Sequence, residues 1–473
     1  METKAFYLNG TFVKTEQSIP VINPFDNSII ANVSIASPSM IEQAIISAHQ
    51  SFSKTKQLSS YQRYSILFQI AQEIEKQKEL FAQTISLESA KPYKYAIAEV
   101  QRAIQTFTIA AEEAKRLSYE YFDLDTTPDE LPLEALVKRF PVGVVLAITP
   151  FNFPLNLVAH KIAPAIASGC PFILKPASKT PLTALLLAEI IHKTPWPKEA
   201  ASVLPCKSSD FEKYINHPLV SKVSFTGSPQ VGWKIKQLAP SKKVTLELGG
   251  NAATIITDSV DVSKIINHCV VGAFAYSGQV CIHTQRFFVH PDLYSTFLDA
   301  LTEKAKQLKY GNPLDKDTDI SVMIDEENAI RTEEWINEAI QKGAKVFLSG
   351  QRQKNYHPPV ILTNTDNSMK VYSEEVFAPV VCVEKYNGDI KDAVEKVNDS
   401  KYGLQCGVFT NSIKELNYCF ENIKCGGIIH NATSILRLDA MPYGGIKESG
   451  FGREGVRYAI LEMTEPKLLL KEK

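Results

Sequence analysis

The sequence predicts an α/β fold built on parallel sheets. Short apolar runs recur along the middle of the chain, and segments that open with Thr-Pro or Ser-Pro and read as helices alternate with them, as crossover connections require. The length of 473 residues exceeds what one compact core supports, so two or three domains are expected. No internal repeat or low-complexity linker marks a boundary between them.

The elements follow in order. "FYLNGTFV" and "IPVINPFDNSIIANVSI" are short β-type runs broken by Asn-Gly and Asp-Asn turns. "SPSMIEQAIISAHQSF" opens a helix, with Ser39 and Glu42 at capping-box spacing. A long helical region runs from about Tyr61 to Leu117 and breaks at "SAKPY", where Pro92 cannot continue a helix. "LEALVKRFPVGVVLAITP" reads as two strands and "GCPFILKPA" as another. "TPLTALLLAEIIHK" is a helix with Thr180 as N-cap and Pro181 at its first position. "KVSFTG" is a strand and "SPQVGWKIKQLA" a helix capped by Ser228, with Pro229 following; "KVTLELGG" is again a strand. "AATIIT", "RFFVH", "AKVFLS", "VFAPVVCVEKY", "CGVFT" and "GGIIHN" supply a second α/β layer, and "EPKLLLKEK" is a terminal strand in search of a partner.

Composition excludes several classes. Hydrophobic residues are 44% and charged residues 22%, and the net charge of −1 from 51 basic and 52 acidic residues carries no nucleic-acid footprint. The most apolar stretch, "VGVVLAITPFNFPLNLV", holds Pro150, Asn152, Pro154 and Asn156 and makes a poor membrane span. The opening "METKAFYLNGTFV" has no apolar targeting core and reads as a mature start. The eight cysteines form no CxxC pair and do not cluster with the nine histidines, so neither a disulfide framework nor a metal site is expected, and a reducing cytoplasm fits.

Chemistry is expected at the carboxyl ends of the parallel strands, where such sheets bind ligands. Gly227 and Ser228 in "FTGSPQVG" stand where a strand meets a helix, a place whose backbone amides and dipole favour a phosphate. Lys175 in "LKPAS" ends another strand and could reach phosphate or ribose oxygens, or could be an ordinary surface lysine. "GFGREG" matches the dinucleotide fingerprint but does not follow an apolar strand, and reads as a glycine-rich loop instead. Cys281 in "YSGQVCIHTQRF" could be a nucleophile, a ligand or a small apolar filler; a nucleophile needs an electropositive setting, an oxyanion donor and, for hydrolysis, a base. Asn152 in "TPFNFPL" and Glu247 in "LELGG" are the candidate donor and base, though spacing alone does not bring the three together.

Seven separated segments, "ITPFNFPLNL", "GCPFILKPAS", "SFTGSPQVG", "LELGGN", "GQVC", "EEVFAPV" and "MPYGGIKESGFGREG", occur in an order that resembles the aldehyde dehydrogenase superfamily. The likeness covers nearly the whole chain. It implies a Rossmann-type cofactor domain over 1–120 and 142–249, an α/β catalytic domain over 250–442, and a small β oligomerisation arm over 121–141 and 460–473 that joins a homodimer or homotetramer. It implies Cys281 as nucleophile, the Asn152 amide with the Cys281 N–H as oxyanion hole, and Glu247 as the base that hydrolyses a thioester. Thr149, Pro150, Lys175, Ser178, Gly227, Ser228, Glu375 and Phe377 would hold the dinucleotide.

Departures from the family pattern carry information. Many NAD-preferring relatives place glutamate in "KPxE", where this chain has Ser178; a carboxylate would repel a 2′-phosphate and serine would not, so NADP is expected to be preferred, with NAD possible. Serine there could equally serve to cap the next helix. Ala378 replaces the glycine of "EEVFGPV", and "PFGG" reads "PYGG"; both look conservative. "NATSILRLDAMPYGG" resembles relatives that act on lactaldehyde, phosphonoacetaldehyde, succinate semialdehyde and similar small polar or anionic aldehydes. Arg437 is the foremost candidate to clamp an anion, with Arg102, His160, His283 and Arg286 behind it, since an arginine can grip a carboxylate bidentately. A CoA-acylating dehydrogenase and a catalytically silent scaffold are the rival readings. The base Glu247 speaks against the first, and the intact set of Cys281, Asn152 and Glu247 against the second.

Overall fold

A computed structural model describes residues 3–124 and 133–472. Two sheets organise the chain. The first has eight strands in the order Gly450–Phe451, Lys243–Glu247, Val220–Thr226, Val144–Ile148, Phe172–Lys175, Ala201–Val203, Phe6–Leu8 and Thr11–Val13. Its central five strands are parallel, and the short pieces at both edges run antiparallel. The second has seven, in the order Lys345–Leu348, Val360–Thr363, Val380–Lys385, Thr284–Val289, Ala252–Ile256, Gln405–Phe409 and Gly427–His430, parallel throughout except at Lys345–Leu348. The predicted α/β class therefore holds. Val360–Thr363 was missed because "PPVILT" follows two prolines and offers only four apolar-to-neutral residues.

The core of the first sheet explains why its strands read as unbroken apolar runs. Val145, Ile173 and Val223 are buried among helix residues such as Ile41, Ile70, Phe107, Ile162 and Leu187. A parallel strand covered on both faces has no solvent side on which to alternate. Among the described residues no helix is long and apolar enough to cross a membrane.

Helix starts differ from expectation in an informative way. The first helix, Pro38–Thr55, is capped by Ser37, whose hydroxyl accepts from the Met40 N–H, so the box at Ser39 and Glu42 does not form. Pro38 fixes this frame, because its missing N–H is harmless only in the first turn. Thr180 does not cap Leu182–His192 either. The buried Glu88 carboxylate accepts from the Leu182 and Thr183 N–H groups at 2.7 and 3.1 Å, a cap supplied from a different helix and invisible to local sequence. Ser228 does sit at the N-cap of Pro229–Leu238, but its side chain makes no cap hydrogen bond, which leaves that terminus open.

The terminal strand Thr464–Glu472 finds its partner in Leu133–Pro141, antiparallel from Thr464 opposite Pro141 to Glu472 opposite Leu133. Glu120–Asp123 adds a third strand to this small sheet. The part of the expected arm at 125–132 lies outside the described residues. Gly450–Phe451, read from the sequence as part of a glycine-rich loop, instead forms a short strand on the edge of the first sheet, paired antiparallel with Leu246 and Glu247.

Candidate active site

Cys281 follows a backbone that ordinary residues avoid. Tyr276, Ser277 and Gly278 all have positive φ, at 51, 53 and 69°. Left-handed geometry costs about 1–2 kcal/mol for a non-glycine residue, so this turn persists only because its surroundings enforce it. The Ser277 hydroxyl donates to the Ser321 carbonyl at 2.8 Å, the Tyr276 hydroxyl to the Ser89 carbonyl at 3.2 Å, and Gln279 accepts the Ile324 N–H. A side chain at Gly278 would collide with the Ala378 carbonyl, and one at Gly250 with the Cys281 carbonyl. Glycines at these two points let the cysteine turn seat against its neighbours.

The sulfur stands where two cavities meet. One, of about 150 Å³, is bounded by Lys91, Tyr95, Arg102, Phe153, Tyr276, Arg437 and Tyr443 as well as Cys281. The other, of about 270 Å³, is bounded by Pro150, Phe151, Asn152, Thr226, Gly227, Ser228, Glu247, Gly249, Glu375 and Phe377, again with Cys281. Asn152, Glu247 and Cys281, drawn from a loop, a strand end and a turn, are thus gathered on one space. The Asn152 amide donates one hydrogen to the Gln279 carbonyl at 3.0 Å, two residues before the cysteine, which leaves its second N–H available.

Burial dominates the electrostatics here. It pushes the Cys281 thiol up to about 11, against the lowering influence of the Tyr443 hydroxyl and the Arg437 charge. Burial also lifts Glu247 well above the usual carboxylate range, with the Glu454 charge adding to it and Arg437, Lys161 and Arg453 opposing. Both Glu247 oxygens are buried without a hydrogen-bond partner among the described residues. Glu454, by contrast, is held low: burial works against it, but Lys161 at 2.9 Å and Arg437 at 3.2 Å prevail. Two nearby carboxyls with opposite shifts are the arrangement in which one stays ionised and the other serves as a proton acceptor near neutral pH.

The dinucleotide candidates divide. Pro150, Gly227, Ser228, Glu375 and Phe377 line the larger cavity. Glu375 accepts the Gly250 N–H at 3.0 Å, an approach that any side chain at Gly249 would block, and burial raises its carboxyl to about 7. Phe377 has a positive φ of 49° and meets Phe151 edge-on at 6.0 Å. Thr149 and Lys175 do not line this cavity; they are buried at the ends of adjacent strands, where the Thr149 N–H donates to the Lys175 carbonyl. Ser178 is exposed in the turn after Phe172–Lys175 and borders a separate cleft with Lys179, which pairs with Asp325.

Of the anion candidates, Arg437 and Arg102 line the smaller cavity, but His160, His283 and Arg286 do not. His160 is buried, its one bonded ring nitrogen is taken up by Asp439 at 2.8 Å, burial and the Arg437 charge lower its pKa, and it borders neither cavity, so it positions Asp439 rather than meeting a substrate. His283 is fully buried, its pKa forced to about 4, and it borders neither cavity. Arg286 donates to the carbonyls of Asn251, Lys396 and Val397 and so ties the strand Thr284–Val289 to the end of the helix Ile390–Asn398 and to the residue before the strand Ala252–Ile256. Arg102 makes a two-point contact with Asp439, at 2.8 and 3.2 Å, while bordering the cavity.

Several contributors had no sequence signal. Glu99 accepts the Leu155 and Asn156 N–H groups at 2.9 and 3.1 Å, capping the Asn156–Ser168 helix and fixing the loop that carries Asn152. Asn251 and Gln285 donate to carbonyls of residues 371–374 and set the course of the Glu375 segment. The Tyr443 hydroxyl lies 3.1 Å from the Cys281 sulfur, so the change from "PFGG" to "PYGG" is not conservative after all. Only the quoted family segment could have drawn attention to it.

Residues 12–469 match the model of the aldehyde dehydrogenase family. The chain is 41% identical over 465 residues to a 3-sulfolactaldehyde dehydrogenase of Priestia aryabhattai, covering 98% of this chain and 97% of that protein. Its fold is similar to the crystal structure of aldehyde dehydrogenase 21 from Physcomitrella patens in complex with the reaction product succinate (TM-score 0.98, 40% identity, 100% and 98% coverage). It is also similar to glyceraldehyde-3-phosphate dehydrogenase GapN from Methanocaldococcus jannaschii complexed with NADP (TM-score 0.92, 37% identity, 97% and 100% coverage).

Proposed function

The chain belongs to the aldehyde dehydrogenase family, and from that premise we propose that it oxidises a small polar or anionic aldehyde to its carboxylic acid, using NADP in preference to NAD. The observation that carries this reading is the single sulfur shared by two cavities of different character. The first sheet with its helices serves as cofactor domain, 1–120 and 142–249, and the second as catalytic domain, 250–442.

The larger cavity suits a dinucleotide. Among the described residues no side chain caps the N-terminus of Pro229–Leu238, the kind of site that accepts a pyrophosphate, and none bonds the buried Thr226 hydroxyl beside it. Pro150, Gly227, Ser228, Glu375 and Phe377 would hold the cofactor there, with Thr149 and Lys175 supporting it from the strand ends, and Ser178, on the separate cleft beside Lys179, would face an adenosine ribose that reaches beyond this cavity, without repelling a 2′-phosphate. A bound nicotinamide supplies an acceptor for the hydride that a thiohemiacetal gives up in becoming a thioester.

The remaining steps belong to the chain. Cys281 gives its proton to water, its thiolate bonds the aldehyde carbon, and the C=O π pair moves onto the oxygen. The free Asn152 N–H and the Cys281 N–H stabilise the developing oxyanion, a contribution of about 10²–10³ in rate per donor. Glu247 then takes a proton from water, which adds to the thioester carbonyl; the C–S bond breaks and the acid leaves.

The smaller cavity sets the substrate. Its volume of about 150 Å³ falls short of the ~300 Å³ at which drug-sized ligand sites begin, so it admits a short chain only. Arg437 and Arg102 at its wall suit a carboxylate, sulfonate or phosphonate. The names of the similar proteins, one for sulfolactaldehyde and one bound to succinate, support the same class. A panel of neutral and anionic aldehydes, run with each dinucleotide, is expected to give higher kcat/KM with NADP and with anionic members. Arg437→Ala is expected to raise KM about 10–100-fold for anionic aldehydes alone, as loss of a charge-assisted bond implies, while kcat falls for neutral and anionic members alike because Arg437 also acts on Cys281 and Glu247. An equal rise in KM for both would remove the clamp, and a clear preference for NAD would overturn the cofactor assignment.

Subunit contact is assigned to the arm formed by Leu133–Pro141 and Thr464–Glu472. Leu468, Leu469 and Leu470 are each at least half exposed there, an apolar run that a partner subunit would cover as a homodimer or homotetramer. Sedimentation should give a multiple of 52.6 kDa for the native chain and a smaller assembly for Leu469→Asp. A native monomer would refute the assignment.

A further inference from the structure

We propose that Tyr443 is the hydrogen-bond donor that holds the Cys281 sulfur as a thiolate, and that Arg437, stacked on its ring, strengthens it in that role. The inference rests on the reading of Cys281 as nucleophile. The phenol oxygen lies 3.1 Å from the sulfur, and both groups face the small cavity. The Arg437 guanidinium sits 3.6 Å from the centroid of the Tyr443 ring. A cation over the ring face draws electron density from it and makes the O–H a better donor.

The need for such a donor follows from what else faces the sulfur. Glu247 and Glu375 oppose its ionisation, and Arg437 and Tyr443 favour it. Tyr443 itself is faced by Cys281, Arg437 and Glu247, and it is buried too deeply to give up its own proton. Against a thiolate the phenol can therefore only donate, since the sulfur then carries no hydrogen. Without the hydroxyl, Arg437 would be left to favour the charge on the sulfur against burial, Glu375 and Glu247.

The same geometry ties the substrate to the nucleophile. Arg437 lines the small cavity, bonds Glu454 and stacks on Tyr443, so the residue expected to meet an anionic substrate is the one that polarises the thiolate donor. A phenylalanine, as in "PFGG", would keep the stacking and lose the donor.

The test is the pH dependence of Cys281 alkylation by iodoacetamide, read by mass spectrometry of the Cys281 peptide in the native protein and in Tyr443→Phe. It needs neither aldehyde nor dinucleotide, so its outcome is independent of whether the proposed oxidation is observed. The midpoint is expected to rise by about one unit in the variant, a tenfold loss of thiolate at any pH below both midpoints. The more basic thiolate that remains is also more nucleophilic, so the alkylation rate at fixed pH falls less, by roughly three- to fourfold. Thermal melting checks that the variant is folded, and a Phe that fills the same space should melt close to the native protein. An unmoved midpoint in folded protein overturns the proposal. A lowered midpoint overturns it as well, because it would mean that the thiol donates to the phenol oxygen and the contact protects the neutral S–H form.

Discussion

Replacing Cys281 by serine is expected to reduce aldehyde oxidation by at least about 10⁴-fold while leaving dinucleotide binding intact. The scale is that seen when the nucleophile of a hydrolytic triad is removed, roughly 10⁶ in the extreme. The physical reason is the charge that the attacking atom must bear. Even the thiol is pushed to about 11 by burial, with Glu247 and Glu375 nearby. A serine hydroxyl starts several units higher still, and the same cavity would have to hold an alkoxide with the same Tyr443 hydroxyl and Arg437 charge in its favour. Oxygen is also smaller and less polarisable than sulfur, so it meets the carbonyl later along the approach. The larger cavity is bounded by twelve residues besides Cys281, and those walls survive the substitution. Fluorescence titration with each dinucleotide and a nicotinamide absorbance assay on the aldehyde panel check the two halves separately. A serine variant that turns over within tenfold of the native rate would remove Cys281 from the chemistry.

What could be read in the sequence, and what could not, follows the range of the forces involved. The parallel strands declared themselves because burial on both faces demands continuous apolar runs, as in "VVLAI" and "FILK". Pro229 and Ser228 placed a helix start correctly because proline geometry is local. The Leu182–His192 helix was misjudged at its start because its cap is Glu88, almost a hundred residues away. Among site residues, Asn152, Glu247 and Cys281 were legible as types beside glycines and prolines, and only the family resemblance suggested that they meet. The histidines misled for a definite reason. A sequence shows that His160 and His283 can be cationic, but only the fold shows that burial lowers the pKa of both and that one is bonded to Asp439. Tyr443 was passed over because a substitution that conserves volume looks silent until the added oxygen has a neighbour.

Substituting Glu247 by glutamine should separate the two halves of the reaction. The thioester is expected to form and then persist: one equivalent of reduced nicotinamide per site in a burst, followed by steady turnover lowered about 10²–10⁴-fold, the range for a lost general base. The direction of the native pH dependence is fixed by the environment of this carboxyl. Burial and the Glu454 charge hold Glu247 protonated well above the usual carboxylate range, and only its deprotonated form can accept a proton from water. Release of the acid in the native enzyme should therefore increase with pH through that raised midpoint. Glutamine has no such proton to lose, so the variant's slow turnover should lack this rise and follow hydroxide alone. Adding hydroxylamine, whose nitrogen needs no general base to attack a thioester, should restore turnover and yield the hydroxamate in place of the acid. Arg437, Lys161 and Arg453 are the charges that oppose the rise of Glu247, and the two that also bond Glu454 hold that second carboxyl low beside it. A Glu247→Gln enzyme with no burst and full steady-state rate would place the base elsewhere, and Glu375, raised to about 7 in the same cavity, would be the group to test next.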